Sequence, residues 1–126
     1  VQVEAAELSQ ALATGVADTF TGDSQTPQRF ISNVVDAAAD KNYTTGLHTI
    51  AVYTDNFTGS VYVEGSLQDN PVGSDFFPIP IRGQNNFVTY TASTGIEPFN
   101  FKANVRKLRF YYTTSAGTVT KILVRN

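Results

Sequence analysis

Few side chains in this sequence could do chemistry. One histidine, His48, stands among 126 residues that include no cysteine. That composition removes Ser–His–carboxylate relays, two-histidine metal sites, thiolate ligands and disulfides. The chain has eleven acids, but acid–base catalysis needs two carboxylates held close in environments that split their pKa values, and no spacing marks two as partners. Glu64 lies inside a strand-like run beside Tyr62 and Ser66, where alternation turns it to the polar face. His48 could titrate near neutral pH, although a lone histidine is more often a packed or exposed polar residue. Asp69, Asn70 and Asp75, joined by Asp55 and Asn56 if the two loops adjoin, could offer oxygens to Ca²⁺. Their spacing is not that of an EF-hand, and Asp and Asn in loops usually serve turns. The expectation is a non-enzymatic protein with no catalytic, cofactor or metal site.

Two other groupings could bind rather than react. Tyr43, Tyr53, Tyr62, Tyr90, Tyr111 and Tyr112 could form an aromatic platform for sugars or bases, or fill strand surfaces and interfaces. Arg106, Lys107 and Arg109 precede Tyr111 and Tyr112, but the chain carries a net charge of −2 and the cluster is small, so nucleic acid is not an expected partner. The charge is polarised along the chain: residues 1–40 sum to −5 and residues 99–126 to +6. Either the two ends lie near each other and compensate, or one of them docks on an oppositely charged neighbour.

The elements that would carry these groups read as strands from residue 47 onward. Residues 47–54 (LHTIAVYT) alternate so that Ile50 and Val52 turn inward; Asp55, Asn56 and Gly59 suggest a tight turn; residues 60–67 (SVYVEGSL) then place Val61, Val63, Gly65 and Leu67 on one face. The pair reads as a β-hairpin. Residues 68–75 (QDNPVGSD) form a loop, and in residues 76–81 (FFPIPI) Pro78 and Pro80 confine the chain to an edge strand or an unpaired path while leaving side chains to plug the core. Residues 86–92 are a further strand. Residues 105–114 and 118–125, separated by Ser115, Ala116 and Gly117, read as a second hairpin, with Leu108, Phe110 and Tyr112 on one face and Lys107, Arg109 and Tyr111 on the other.

The N-terminal third is less regular. Leu8, Leu12, Val16 and Phe20 recur at spacing four among alanines, which fits one stripe of an amphipathic helix and a set of apolar anchors on a partner. Residues 21–28 (TGDSQTPQ) suit a linker, and residues 29–40 open the sandwich as a strand, with a helix begun at Thr26 and Pro27 as the alternative. The expected organisation is an N-terminal arm over residues 1–28, partly helical, and an antiparallel, jelly-roll-like β-sandwich over residues 29–126. A core of that size is supported by a hydrophobic fraction of 41%. No run of about eighteen apolar residues is present, so no membrane partner is expected.

From about residue 45 onward the chain resembles the β-sandwich modules of accessory structural proteins in tailed bacteriophages, cyanobacterial phages included. Residues 57–67 (FTGSVYVEGSL), the FFPIPI segment and the ending FNFKANVRKLRFYYTTSAGTVTKILVRN carry the likeness. The resemblance implies a virion role: a capsid decoration or cement protein, with a neck, tail or fibre component or a carbohydrate-binding host-recognition module as the alternative. It implies the major capsid protein or other virion subunits as partners and allows a homo-oligomer. By physical reasoning, the partner-binding residues would be Leu8, Leu12, Val16 and Phe20 in the arm and Arg106, Lys107 and Arg109 in the basic tail.

Overall fold

The computed structural model describes residues 15–26, 28–37, 47–81, 83 and 85–125. Eight strands account for most of them: β1 Gly15–Ala17, β2 Phe20–Gly22, β3 Phe30–Ser32, β4 Val35–Asp36, β5 Leu47–Ser66, β6 Phe77–Pro78, β7 Phe87–Lys102 and β8 Lys107–Arg125. All pairings are antiparallel. β5 lies in the centre, bonded to β8 on one side and to β7 and β6 on the other, and the outer edge of β8 takes β1, β3 and β4 in turn. This is the expected all-β class.

Neither expected hairpin forms. β5 runs unbroken from Leu47 through Asp55 and Asn56 to Ser66, and β8 runs unbroken through Ser115–Gly117, the two pairing with each other from Thr49↔Arg125 to Ser66↔Lys107. The supposed turns are β-bulges. They face each other: register slips between Asp55 and Thr58 on β5 lie opposite residues 114–118 on β8. Bulges use the same left-handed backbone as tight turns, which is why the residues look alike. Asn56 has φ 49° and Gly117 φ 68°, and the matching bend in β7 falls at Ala92 (φ 47°) and Gly95 (φ 127°). The inserted residues shift the parity of burial. Along β5 the even residues His48, Ile50, Val52 and Thr54 are buried before the bulge and the odd residues Phe57, Val61, Val63 and Gly65 after it, so one face stays inward throughout.

The bends fold the sheet over itself. β1 pairs at Val124 and β4 at Leu108, positions that a straight strand would hold about 50 Å apart. Yet a Cβ on Gly15 of β1 would fall 2.8 Å from Val35 Cβ of β4. The two halves of β8 therefore belong to opposite layers, and so do those of its partner β5, which gives a sandwich whose corners are bulged strands. Ile50, Val52, Phe57, Val61, Val63, Phe99, Phe101, Leu108, Phe110, Ile122 and Val124 fill the space between, each such side chain stabilising the fold by roughly 1.5–3 kcal/mol on burial. Ile79, from the proline-bearing segment, plugs the same core at 3% exposure, and its amide donates to Val63 O at 3.1 Å. The short edge strand β6 is the form that Pro78 permits.

The helix expected through Val16 and Phe20 is overturned over the described residues. Val16 is in β1, paired with Leu123, and Phe20 is in β2, paired with Ser32. Sheet pairing with β8 and β3 outweighs the weak four-residue periodicity, because Ala17 and Phe20 gain burial there that a helix would have to find elsewhere. Residues 29–36 take the strand reading, as β3 and β4. Leu8, Leu12 and Tyr43 lie outside the described residues.

Candidate functional site

The basic cluster sits on the first residues of β8, beside the ends of β4 and β5. Each base meets an acid from a different segment. Arg109 Nε donates to Glu64 Oε1 across the β5–β8 pair at 2.8 Å, with both side chains mostly buried. Lys107 Nζ reaches Asp36 Oδ1 of β4 at 2.5 Å, and Arg106 pairs with Asp69 in the loop after β5. The Lys107–Asp36 contact joins the acidic N-terminal stretch to the basic tail, as charge compensation between the two ends would have it. Glu64 thus faces a guanidinium, not a second carboxylate. Among the described residues no three of His, Asp and Glu converge on a common point as metal ligands. Asp75 instead accepts from the Val72 amide at 2.9 Å, closing a one-turn loop.

These contacts hold one loop in place. Residues 67–76 leave β5 at Ser66 and return at Phe77, which pairs with Gly65. Ser66 Oγ accepts from the Gln68 amide, Asp69 is tied to Arg106, a 3-10 turn spans Gly73–Asp75, and the Arg109 guanidinium lies 4.2 Å from the centroid of the Phe76 ring while an Nη donates to Gly73 O at 3.5 Å. The loop points apolar side chains outward: Leu67 is 66% and Val72 63% exposed, and Phe77 at the start of β6 is 39% exposed. An open depression of about 360 Å³ lies against it, lined by Val34, Asp36, Asp69, Asn70, Pro71 and Lys107. Alternation placed Leu67 inward with Val61 and Val63; the strand ends one residue earlier and leaves it in the loop. The run of turn-forming residues that follows was the available signal.

Two of the tyrosines form a stack. On the outer face Tyr62 and Tyr111 lie ring on ring, 4.6 Å apart and 5° from parallel, Phe87 follows at 5.2 Å from Tyr62, and the Arg29 guanidinium covers Tyr111 at 5.2 Å. Lys121 lies over Tyr53 at 4.6 Å. Tyr90 and Tyr112 are in the core. Tyr53, Tyr62 and Tyr111 each have at least one ring face against a neighbour. Burial, reinforced by Glu64 and Tyr62, pushes the Tyr111 hydroxyl above its ordinary pKa against the opposing pull of Arg29. Arg29 is itself anchored to Asp23 at 2.7 Å. Partial desolvation works against ionisation of Asp23, but the amides of Arg29 and Gln25 and then the guanidinium outweigh it and hold the carboxyl low.

Of the other sequence-marked residues, Val16 is 39% exposed on β1 and Phe20 packs edge-on against Tyr112 at 5.2 Å, which makes Phe20 part of the fold and not a free anchor. His48 is fully buried and stacked on Phe101 at 4.8 Å.

The chain matches no family profile and no curated protein sequence. Several solved structures are distantly similar to it. They include an exo-β-1,3-galactanase from Phanerochaete chrysosporium (15% identity, TM-score 0.41, 86% of this chain and 26% of that one). They also include the carbohydrate-binding module of Cellvibrio mixtus lichenase 5A, solved with cellotriose (13%, 0.38, 90% and 98%). A third is the enzymatically active domain of bacteriophage CBA120 tailspike protein 4 (13%, 0.32, 78% and 13%). The chain therefore spans about a quarter of the galactanase and an eighth of the tailspike domain, and these likenesses go no further than a β-sandwich fold.

Proposed function

We propose that this domain is a non-enzymatic structural protein of a phage particle, a decoration or cement module that seats on the capsid shell. The observation that carries the reading is the 67–76 loop: ion pairs and backbone bonds hold it in one conformation while Leu67 and Val72 face solvent. Apolar side chains on an already ordered loop lose little conformational freedom when a partner covers them, so their burial is retained as affinity. Arg106, Lys107 and Arg109 beside the loop each have a carboxylate partner, and a protein surface can therefore cover these bases without stranding their charge. The stretches that resemble phage accessory proteins, residues 57–67 and the FFPIPI segment, lead into and out of this loop. A shell presents many identical sites, so modest contacts repeated over the particle suffice for stabilisation.

The test is co-sedimentation with capsids stripped of accessory proteins, comparing the native chain with a Leu67→Ser/Val72→Ser variant. The reading expects saturable binding at a fixed ratio to the shell subunit, weakened at least about tenfold in the variant, since two apolar anchors contribute about 1.5 kcal/mol or more. Absence of shell binding would overturn it, and binding to glycan arrays in that case would favour a carbohydrate-binding tail or fibre role.

A further inference from the structure

In the layer that holds the first half of β5, the strands lie side by side in the order β7, β5, β8, β1. Tyr53 is in register with Ile96 and Lys121, Ala51 with Pro98 and Leu123, and Leu123 with Val16. Ile50, Val52, Phe99, Ile122 and Val124 turn to the core, so their strand neighbours turn outward. Pro98, Ala51, Leu123 and Val16 therefore form one row across four strands on the outer face, with Ile96 and Tyr53 in the row beside it. Ile96 is 54% and Val16 39% exposed. An antiparallel sheet with one solvated face carries polar residues there, and a contiguous apolar row in that place marks a contact surface.

Length, position and charge single out the fourteen residues before Gly15 as what covers it. They join the sheet at Gly15, next to Val16 at the rim of the row. The row is about 14 Å wide, three strand spacings, and fourteen residues reach about 21 Å even in the compact form of a helix. They include Val1, Val3, Leu8 and Leu12, and their charged residues, Glu4 and Glu7, are both acids. The charged residues at outward positions of the four strands, Lys102, Lys121 and Arg125, are all bases. Opposite charges thus meet when the segment lies on the face, whereas a second copy seated there would bring bases toward bases. A segment tethered at the rim is held at high effective concentration, so a modest apolar contact suffices.

We propose that residues 1–14 dock on this outer face, Leu8 and Leu12 covering the row at Leu123 and Ala51 and the two glutamates lying among the bases. The face belongs to the opposite layer from the 67–76 loop, and the inference does not depend on the shell-binding reading. The chain has no cysteine, so Ser9→Cys places a single spin label on the full chain, and NMR relaxation of the amides reads which residues the label approaches. Enhanced relaxation is expected at Tyr53, Ile96 and Leu123 and not at Leu67 or Val72. Adding Leu8→Ser/Leu12→Ser should lower it at least about fivefold, as loss of two apolar anchors from a tethered contact would. If labelled S9C loses the native far-ultraviolet circular dichroism, Gln10→Cys takes its place. No enhancement, equal enhancement at Leu67 and Val72, or no response to L8S/L12S would overturn the proposal. So would enhancement carried between molecules, seen when spin-labelled chains are mixed with isotope-enriched chains that lack the label, because the face would then be taking another copy.

Discussion

Ala92 holds a φ of 47° at the bend of β7, with its amide donating to Thr58 Oγ1 at 2.9 Å. A left-handed backbone costs a non-glycine residue about 1–2 kcal/mol, and glycine returns only part of that gain as extra freedom in the unfolded chain. Ala92→Gly should therefore stabilise the protein by about 0.5–1 kcal/mol, read as a rise in the urea midpoint at constant slope. Glu64, the acid that sequence position made most interesting, is expected to act on stability chiefly through Arg109. Glu64→Gln keeps the shape but leaves the guanidinium in a mostly buried site without its counter-ion, and should cost about 1–2 kcal/mol, discounted from the fully buried case for remaining solvent. Tyr111 supplies a pH signature. Its folded-state pKa is raised above the ordinary 10.0, so the folded protein keeps its phenolic proton where the unfolded chain releases it. The contribution is fully present below pH 10 and is lost as pH rises through the folded value. Tyr111→Phe should flatten the alkaline arm of a stability–pH curve; an unchanged arm would mean that Tyr111 ionises as freely in the folded state.

At the scale of elements, the bulges decide the architecture. A Cβ on Gly117 would run into the backbone carbonyl of Asn56 on the opposite bulge, and the positive φ there is strained for any side chain. Gly117→Ala should cost more than about 2 kcal/mol, measured by thermal unfolding, whereas Gly83→Ala, with open space around it despite its own positive φ, should cost only about 1 kcal/mol. The same bulges mark where sequence reading stops. Alternation in residues 107–112 correctly sends Leu108, Phe110 and Tyr112 inward and Lys107, Arg109 and Tyr111 outward, because a strand's side-chain period is local. Whether Asn56 and Gly117 reverse the chain or only kink it is not local: both outcomes need the same backbone, and the partner strand chooses between them. Ion-pair partners such as Glu64 and Arg109, 45 residues apart, follow from that register and were equally out of reach. The candidate loop was legible as a loop, but its ordered, apolar-tipped state depends on Asp69 meeting Arg106.

For the molecule as a whole, the consequence is cooperativity. A sandwich of hairpins could lose one layer and keep much of the other. Here β5, β7 and β8 each cross from layer to layer through a bend, and they supply most of the core, so melting one layer removes the pairing partners and the inner face of the other. Nearly all of these contacts join distant parts of the chain, which makes folding slow, on the order of milliseconds to seconds, but leaves no stable half-structure to populate. Tyr62, Tyr111 and Tyr112 report on one half and Tyr53, with the N-terminal half of β5, on the other. Equilibrium unfolding in urea should therefore give, within each protein, near-ultraviolet and far-ultraviolet circular dichroism curves that coincide, for the native chain and for variants that keep tyrosines in only one half, even where the variants' midpoints shift. Two separated transitions would show that the bends are hinges between independent layers, and would place the weak point at the bulges around Asn56, Ala92 and Gly117.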